Sequence, residues 1–292
     1  MATLAEWVEG ARPRTLPAAL APVLAGSAVA WFEDGFDLLL ATLALVVALA
    51  LQVGVNYAND YSDGIRGTDE VRVGPMRLVG SGAAKPAHVK LAAFACFGVA
   101  AVAGLAVVMI TGHWWLLALG AAAILAAWFY TGGRNPYGYL GLGELFVFVF
   151  FGLVAVSGTV YIQIGKVSAS AWWTAVAIGA LACAILVANN LRDLDGDRAV
   201  GKRTLATRLG DTGTRWFFVG LVALAAVGVF GVAATSSWWA LLGWLMLLLL
   251  IGPMLEVVRG VSGYGLIPVL KRTGLAELAC AAGLFVGLLI AR

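Results

Sequence analysis

Residues 56–63 read NYANDYSD and end a long apolar run, so they are expected at the mouth of a membrane helix. Asn56 precedes Asp60 by four residues, and Asp60 precedes Asp63 by three. Helical neighbours recur at three and four residues, so the three side chains share one helix face. The stretch therefore predicts a helix end that offers one amide and two carboxylates, with Asp69 following downstream.

A second polar stretch, NNLRDLDGD at residues 189–197, ends another apolar run in the same way. Asn189, Asp193 and Asp197 follow one another at steps of four, which again indicates one helix face. Asn189 and Asp193 lie 133 residues after their counterparts in the first stretch. Ordinary solvated helix ends are the alternative, but they do not account for one pattern repeated at an equal spacing.

Carboxylates in such clusters require a counter-charge. They repel one another, and near hydrocarbon they are costly unless a cation neutralises them. The negative end of each helix dipole adds to this demand. Mg²⁺ binds one or two carboxylates and completes its shell with substrate phosphates and water. The two clusters therefore predict a Mg²⁺ site.

The composition is 62% hydrophobic and 12% charged, with a mean hydropathy of +0.93. Soluble domains carry about 25% charged residues, so an integral membrane protein in the lipid bilayer is predicted, and no nucleic-acid partner is expected. Apolar runs of about 20 residues are typical of membrane helices. We expect one all-α domain over residues 1–292. Its nine expected transmembrane helices are 16–32, 38–58, 89–110, 114–131, 143–164, 171–191, 215–234, 238–257 and 274–291.

The charge distribution predicts the orientation. With nine spans, the N-terminal side carries 17 of the 19 Lys and Arg residues and leaves Lys166 and Arg292 opposite. The positive-inside rule makes this side cytoplasmic, so the aspartate clusters are expected to face the cytoplasm of a multi-pass protein in the cell (plasma) membrane. The 133-residue spacing further predicts two four-helix pseudo-repeats with a ninth helix appended.

Basic residues follow each acidic cluster, and the best candidates for binding a ligand are Arg77, Lys202 and Arg203. Carboxylates that hold Mg²⁺ beside Arg and Lys form a receptor for a diphosphate, since Arg binds phosphate oxygens through two parallel hydrogen bonds. A basic cytoplasmic surface that meets anionic lipid headgroups is the alternative.

Two other segments supply candidate residues. Arg14 precedes the first span and either reaches an anionic substrate or marks the membrane edge. The loop after the fourth span is rich in Gly and contains Tyr130 and Tyr137, which predicts an irregular backbone lining a cavity. Glu144 begins the fifth span. An ionisable group at that depth is a functional candidate, and capping of the helix is the alternative.

The motifs resemble those of a known family. Asn59-Asp60-x-x-Asp63 with Asp69, and Asp193-x-x-x-Asp197 followed by GKRT at 201–204, resemble the two aspartate motifs of the UbiA superfamily of intramembrane prenyltransferases. Within that family, three stretches resemble the menaquinone branch. They are GARPRTLP at 10–17, NYANDY at 56–61 and GLGELFVFVFFG at 141–152.

The resemblance implies a UbiA-like fold and a Mg²⁺-dependent reaction. A polyprenyl diphosphate is expected to bind through Mg²⁺ to Asp60, Asp63 and Asp69 of the first motif and to Asp193 and Asp197 of the second. The choice between Asp63 and Asp69 as the direct ligand is left open. The branch implies transfer of the polyprenyl group to 1,4-dihydroxy-2-naphthoate, with loss of diphosphate and CO₂, to give demethylmenaquinone. Arg14 or Arg77 would hold the acceptor carboxylate, while Tyr130, Tyr137 and Phe148 either line the site or simply pack the bundle.

Two alternatives remain. Another aromatic acceptor, such as 4-hydroxybenzoate, would use the same metal site. A cation transporter would also carry carboxylates within a helical bundle. Transport sites usually lie near the bilayer midplane on broken helices, whereas these carboxylates cluster at one face beside basic residues.

Overall fold

The computed structural model describes residues 2–67 and 76–292, and every regular element within those ranges is helical. The α-helices, in chain order, are α1 Leu4–Gly10, α2 Pro17–Phe32, α3 Leu38–Ile65, α4 Pro86–Thr111, α5 Leu116–Phe129, α6 Gly143–Val147, α7 Ala155–Ile164, α8 Ala169–Arg192, α9 Leu194–Ala199, α10 Leu205–Thr235, α11 Leu245–Val258 and α12 Ile267–Ile290. A π-helix at Phe148–Val154 joins α6 to α7. Short 3₁₀ turns are Pro13–Thr15, Tyr137–Leu140, Trp238–Trp244 and Gly263–Leu266.

Seven helical segments of the described chain are long and apolar enough to cross a membrane. They are Leu38–Ile65, Pro86–Thr111, Gly143–Ile164, Ala169–Arg192, Leu205–Thr235, Trp238–Val258 and Gly263–Ile290. An eighth arises if the pair Leu4–Thr15 and Pro17–Phe32, bent by 50°, forms one span. The chain is thus an all-helical, multi-pass membrane protein.

The predicted count of nine is not confirmed. Each predicted span overlaps a helical segment, but Leu116–Phe129 has only 14 residues. A membrane helix needs about 20 residues, so this helix is too short to qualify by length. Hydropathy identified it as apolar and did not reveal where its helix begins and ends.

Side-chain caps define several helix starts. Asp37 accepts a hydrogen bond from the Leu40 backbone N–H at the start of α3, and Ser168 caps α8 by accepting from the Ala171 N–H. Such caps satisfy backbone donors that have no partner within the helix. These caps fix the start of the two helices that carry the polar motifs.

Helix α8 lies at the centre of the bundle, with 72% of its most apolar stretch buried. It packs against α10, α12 and the π-helix. The π-helix approaches α8 so closely that a Cβ built on Gly152 would lie 2.7 Å from the Gly179 Cα. This contact places the start of α6 beside the end of α8. A smaller apolar cluster, which includes Tyr57, Leu78 and Phe97, packs the end of α3 against α4.

Candidate active site

The first motif lies at the end of α3, where Asn56, Asp60 and Asp63 are all buried on one helix, as their spacing predicted. The Asn56 Nδ2 group donates to the Ala11 carbonyl and to the Thr15 Oγ1, both at 2.9 Å. Asn56 therefore joins the N-terminal segment to α3.

Asp60 holds a loop through both carboxylate oxygens. The Leu78 N–H donates to Oδ2 at 2.8 Å and the Val79 N–H donates to Oδ1 at 2.9 Å. The adjacent Arg77 is thereby placed above α3, with its Nη2 3.6 Å from the Asp63 Oδ2. Asp60 thus positions a basic residue, a role that the sequence pattern did not indicate.

Asp63 accepts a hydrogen bond from the Tyr139 hydroxyl at 2.5 Å. One turn earlier, the Asn59 Oδ1 accepts from the Thr131 Oγ1 at 2.7 Å. Arg66 follows at the end of α3 and donates to the carbonyls of Thr131 and Gly133. The loop between α5 and α6 is therefore fastened directly to the first motif.

The second motif continues the helical path past the end of α8. The Asp193 N–H donates to the Asn189 carbonyl at 3.1 Å, and the Asp197 N–H donates to the Asp193 carbonyl at 2.8 Å. These hydrogen bonds keep the steps of four, but Asp193 has non-helical backbone angles (φ −93°, ψ 5°) and separates α8 from α9, so the three residues do not lie on one continuous helix as expected. The Asp193 carboxylate accepts two hydrogen bonds from the Arg192 guanidinium at 2.7 Å, and Asp197 lies 3.8 Å from the Lys202 Nζ.

Tyr139 links the two motifs. Its hydroxyl donates to Asp63, while the Lys202 Nζ lies 4.5 Å from the centre of its ring. Its carbonyl accepts from the Arg203 backbone N–H at 3.1 Å. Because Lys202 also pairs with Asp197, a continuous chain of contacts runs from the first aspartate motif to the second. The sequence does not single out Tyr139, which is marked there only by its place in a Gly-rich loop.

The other aromatic candidates pack together. The Tyr130 and Tyr137 rings meet edge to face at 5.5 Å, and Tyr137 stacks on Phe146 at 4.0 Å. The Tyr137 hydroxyl donates to the Ala126 carbonyl at 2.9 Å. Burial raises the pKa of the Tyr137 phenol, so it stays neutral. Phe148 begins the π-helix and is half-buried against the core.

Glu144 is buried at the start of α6. Its Oε1 accepts a hydrogen bond from the Asn190 Nδ2 at 2.9 Å. Asn190 is therefore the amide that joins α8 to Glu144, whereas Asn189 is half-buried beside it. Neither the pairing nor the choice between the two amides was predicted.

Three predicted residues lie differently from the rest. Arg14 and Arg203 are exposed, and the arginine within electrostatic reach of Asp60 is Arg12. Arg12 has a left-handed backbone with φ of 54°, which sets the course of the segment before α2. Asp69 lies outside the described residues.

A model of the UbiA prenyltransferase family matches residues 19–264. The chain belongs to this family. It is 52% identical to a protein of Mycobacterium tuberculosis over 96% of each chain, and 39% identical to one of Escherichia coli over 91% of this chain and 89% of that one. Both relatives are named 1,4-dihydroxy-2-naphthoate octaprenyltransferase. The fold is also similar to that of a UbiA homolog from Archaeoglobus fulgidus bound to GPP and Mg²⁺, with a TM-score of 0.70, 14% identity and coverage of 97% and 99%.

The residues of this UbiA-family site fit Mg²⁺ by the chemistry of their donors. No group of three or more His, Cys, Asp or Glu side chains in the described part of the chain forms a metal site by itself. Mg²⁺ does not require one, because it binds through one or two carboxylates and substrate phosphates. Asp63, Asp193 and Asp197 present oxygen atoms of the kind it prefers, each beside a basic side chain.

Proposed function

We propose that this chain transfers a polyprenyl group from polyprenyl diphosphate to 1,4-dihydroxy-2-naphthoate, with loss of diphosphate and CO₂, in menaquinone synthesis. The supporting observation is the high identity to relatives named for this reaction over nearly their whole length. The chain of contacts from Asp63 through Tyr139 and Lys202 to Asp197 supports a single site for the diphosphate.

In this proposal Asp63, Asp193 and Asp197 hold Mg²⁺, with Asp69 as a further candidate. The Asp60 carboxylate has lone pairs left to contribute to the metal site, and its hydrogen bonds with the backbone of Leu78 and Val79 hold the loop that carries Arg77. When bound, the metal neutralises charge on the diphosphate and makes it a better leaving group. Magnesium-bound structures of the family show that the fold accommodates such a site in those proteins.

The protein supplies the remaining electrostatics. Arg77 and Lys202 have side chains only 10% exposed. Water therefore screens their charges little, which would strengthen their interaction with the departing diphosphate. Asn56, Asn59 and Asn189 complete the polar helix ends. The aromatic group of Tyr130 and Tyr137 with its Phe neighbours limits water near the allylic cation.

We also propose that the bundle is one domain of nine spans, with α5 counted as the fourth, in the plasma membrane. The excess of Lys and Arg on one side supports a cytoplasmic site. Arg203 is exposed on this side. A membrane-impermeant thiol reagent should therefore label Arg203→Cys only from the cytoplasm, and labelling from outside would reverse the orientation.

The reaction is tested by mass analysis of products. Purified protein is incubated with Mg²⁺, a polyprenyl diphosphate and either 1,4-dihydroxy-2-naphthoate or 4-hydroxybenzoate. A prenylated naphthoquinol without the carboxyl carbon is expected from the first acceptor. Product from 4-hydroxybenzoate alone would overturn the acceptor and keep the diphosphate site, while no product from either would refute the proposed activity.

A further inference from the structure

Glu144 has one carboxylate oxygen that the described protein leaves unused. The side chain is 5% exposed, and its Oε1 accepts from Asn190. Its Oε2 is buried and has no hydrogen-bond partner among the described residues. Buried polar atoms are nearly always hydrogen-bonded, and an ionisable group within a membrane bundle usually serves a function. Together with the position of Glu144 beside the second aspartate motif, this oxygen indicates a ligand that donates a hydrogen bond.

The position of Glu144 identifies the ligand. Its partner Asn190 lies three residues, about 4.5 Å along α8, before Asp193 of the diphosphate site. A Cβ built on Gly143 would lie 3.5 Å from the Tyr130 hydroxyl, so Glu144 also borders the aromatic group of Tyr130 and Tyr137. An aromatic acceptor must lie beside the aspartates to reach an allylic carbon bonded to diphosphate, and Glu144 is tied through Asn190 to the helix end that carries Asp193.

We propose that the Glu144 carboxylate accepts the proton of the acceptor hydroxyl next to the carboxylate-bearing ring carbon, and later returns it. The inference rests on the proposed function and assigns a catalytic base to that site. Asn190 positions the base, because its Nδ2 holds Oε1 and leaves Oε2 available.

The proton transfer makes the loss of CO₂ chemically simple. The electron pair of the ring carbon forms the bond to the allylic carbon, and the carbon–oxygen bond to diphosphate breaks with its pair leaving on diphosphate. The hydroxyl proton moves to Glu144, so the neighbouring ring oxygen becomes a ketone. The resulting β-keto carboxylate loses CO₂, and the freed electron pair gives an enolate. The enolate takes the proton back from Glu144, which leaves the quinol and restores the base.

Tyr130, Cys183 and Glu277 are titratable groups on the segments near Glu144. Tyr130, from the loop before α6, lies beside the preceding residue Gly143. Cys183 on α8 donates through its Sγ to the Glu144 backbone carbonyl at 3.1 Å. Glu277 on α12 also lies near Cys183 and is fully buried. It lies ten residues into α12, about 15 Å from the helix start, and therefore deeper in the bundle than Glu144. Its two oxygens also have no hydrogen-bond partner among the described residues, so Glu277→Gln is a matched control for the same chemical change.

The test compares Glu144→Gln, Glu144→Asp and Glu277→Gln in the full-length protein. A positioned base contributes about 10²–10⁴-fold, so Glu144→Gln should lower kcat at least about 100-fold. Its remaining rate should rise tenfold per pH unit as the acceptor hydroxyl ionises, and an acceptor with a more acidic hydroxyl should lose less activity. Glu144→Asp should keep the pH profile of the wild type at a lower kcat. Glu277→Gln should keep both the pH profile and the dependence on acceptor acidity.

Binding of geranyl diphosphate with Mg²⁺, measured by calorimetry, monitors folding of the donor site and should be unchanged in all three variants. An unchanged kcat in Glu144→Gln, or an equal loss with every acceptor at every pH, would overturn the base. If Glu277→Gln showed the same altered pH profile as Glu144→Gln, the proposal would also be overturned. If Glu144→Gln fails to bind geranyl diphosphate, the Glu144→Asp profile decides, and a changed profile there rejects the proposal. Failure of the wild type to prenylate 1,4-dihydroxy-2-naphthoate would instead refute the proposed function.

Discussion

Among single residues, Tyr139 contacts both polar motifs. Its hydroxyl reaches the first motif, and its ring and carbonyl contact Lys202 and Arg203 of the second. A hydrogen bond to a charged group contributes about 1.5–3 kcal/mol. We therefore expect Tyr139→Phe to lower kcat/KM for prenyl transfer at least about tenfold. Tyr264→Phe, at a 70% exposed position, is the control, and equal activity of the two variants would contradict the link.

The Asp60 carboxylate makes a prediction about stability. In Asp60→Asn, an amide would place N–H groups against the Leu78 or Val79 N–H in place of an acceptor. Leaving a buried donor unsatisfied costs about 1–3 kcal/mol, so the free energy of unfolding should fall by about that amount. Denaturant unfolding in detergent measures it. Asp195→Asn, with a fully solvated side chain, should be neutral, and unchanged stability of Asp60→Asn would refute the loop-holding role.

The position of a single residue is predictable from the sequence where local helical periodicity determines it. Helical periodicity correctly placed Asn56, Asp60 and Asp63 on one buried face. The sequence does not reveal the left-handed backbone at Arg12, which lies within electrostatic reach of Asp60, while Arg14 is exposed and its predicted role remains a prediction. Tyr139 was missed because a loop folded over two helix ends brings it into place, and no periodic pattern describes that path.

At the scale of elements, the contact of the π-helix with α8 positions Glu144 against Asn190. A Cβ on Gly179 would lie 2.9 Å from the Gly152 Cα, where backbone cannot yield easily. Overpacking costs about 1–3 kcal/mol, so Gly179→Ala should lower the thermal unfolding midpoint. A Cβ added at Gly158 would have no neighbouring atom within 4 Å, so Gly158→Ala should be neutral or slightly stabilising. An unchanged thermal unfolding midpoint in Gly179→Ala would contradict tight packing between the π-helix and α8.

The helices themselves were largely predictable, because long apolar runs leave little choice in a bilayer. Their lengths were not. Helix α5 has only 14 residues, and the segment before α2 is bent by 50° where Thr15 accepts a hydrogen bond from Asn56. Hydropathy averages over a window and does not register such contacts, so nine spans were expected where seven or eight qualify.

At the scale of the whole molecule, two helix ends 133 residues apart contribute to one polar region at the same end of the bundle. The contacts that join them involve a third segment, Tyr137–Leu140, from the loop between α5 and α6. The spacing predicted the pairing of the motifs, but the connecting loop became visible only in the structure. Both halves of the chain are therefore expected to contribute to a single diphosphate site.

Calorimetric binding of geranyl diphosphate in the presence of Mg²⁺ distinguishes a site shared by the two motifs from two separate sites. Asp63→Asn removes a carboxylate from the first motif, and Asp197→Asn removes one from the second. If both hold one ligand, each variant should bind at least about tenfold more weakly, since a tenfold loss corresponds to only about 1.4 kcal/mol. Asp195→Asn should bind as the wild type does. Wild-type affinity in either Asp63→Asn or Asp197→Asn would contradict a site shared by the two motifs.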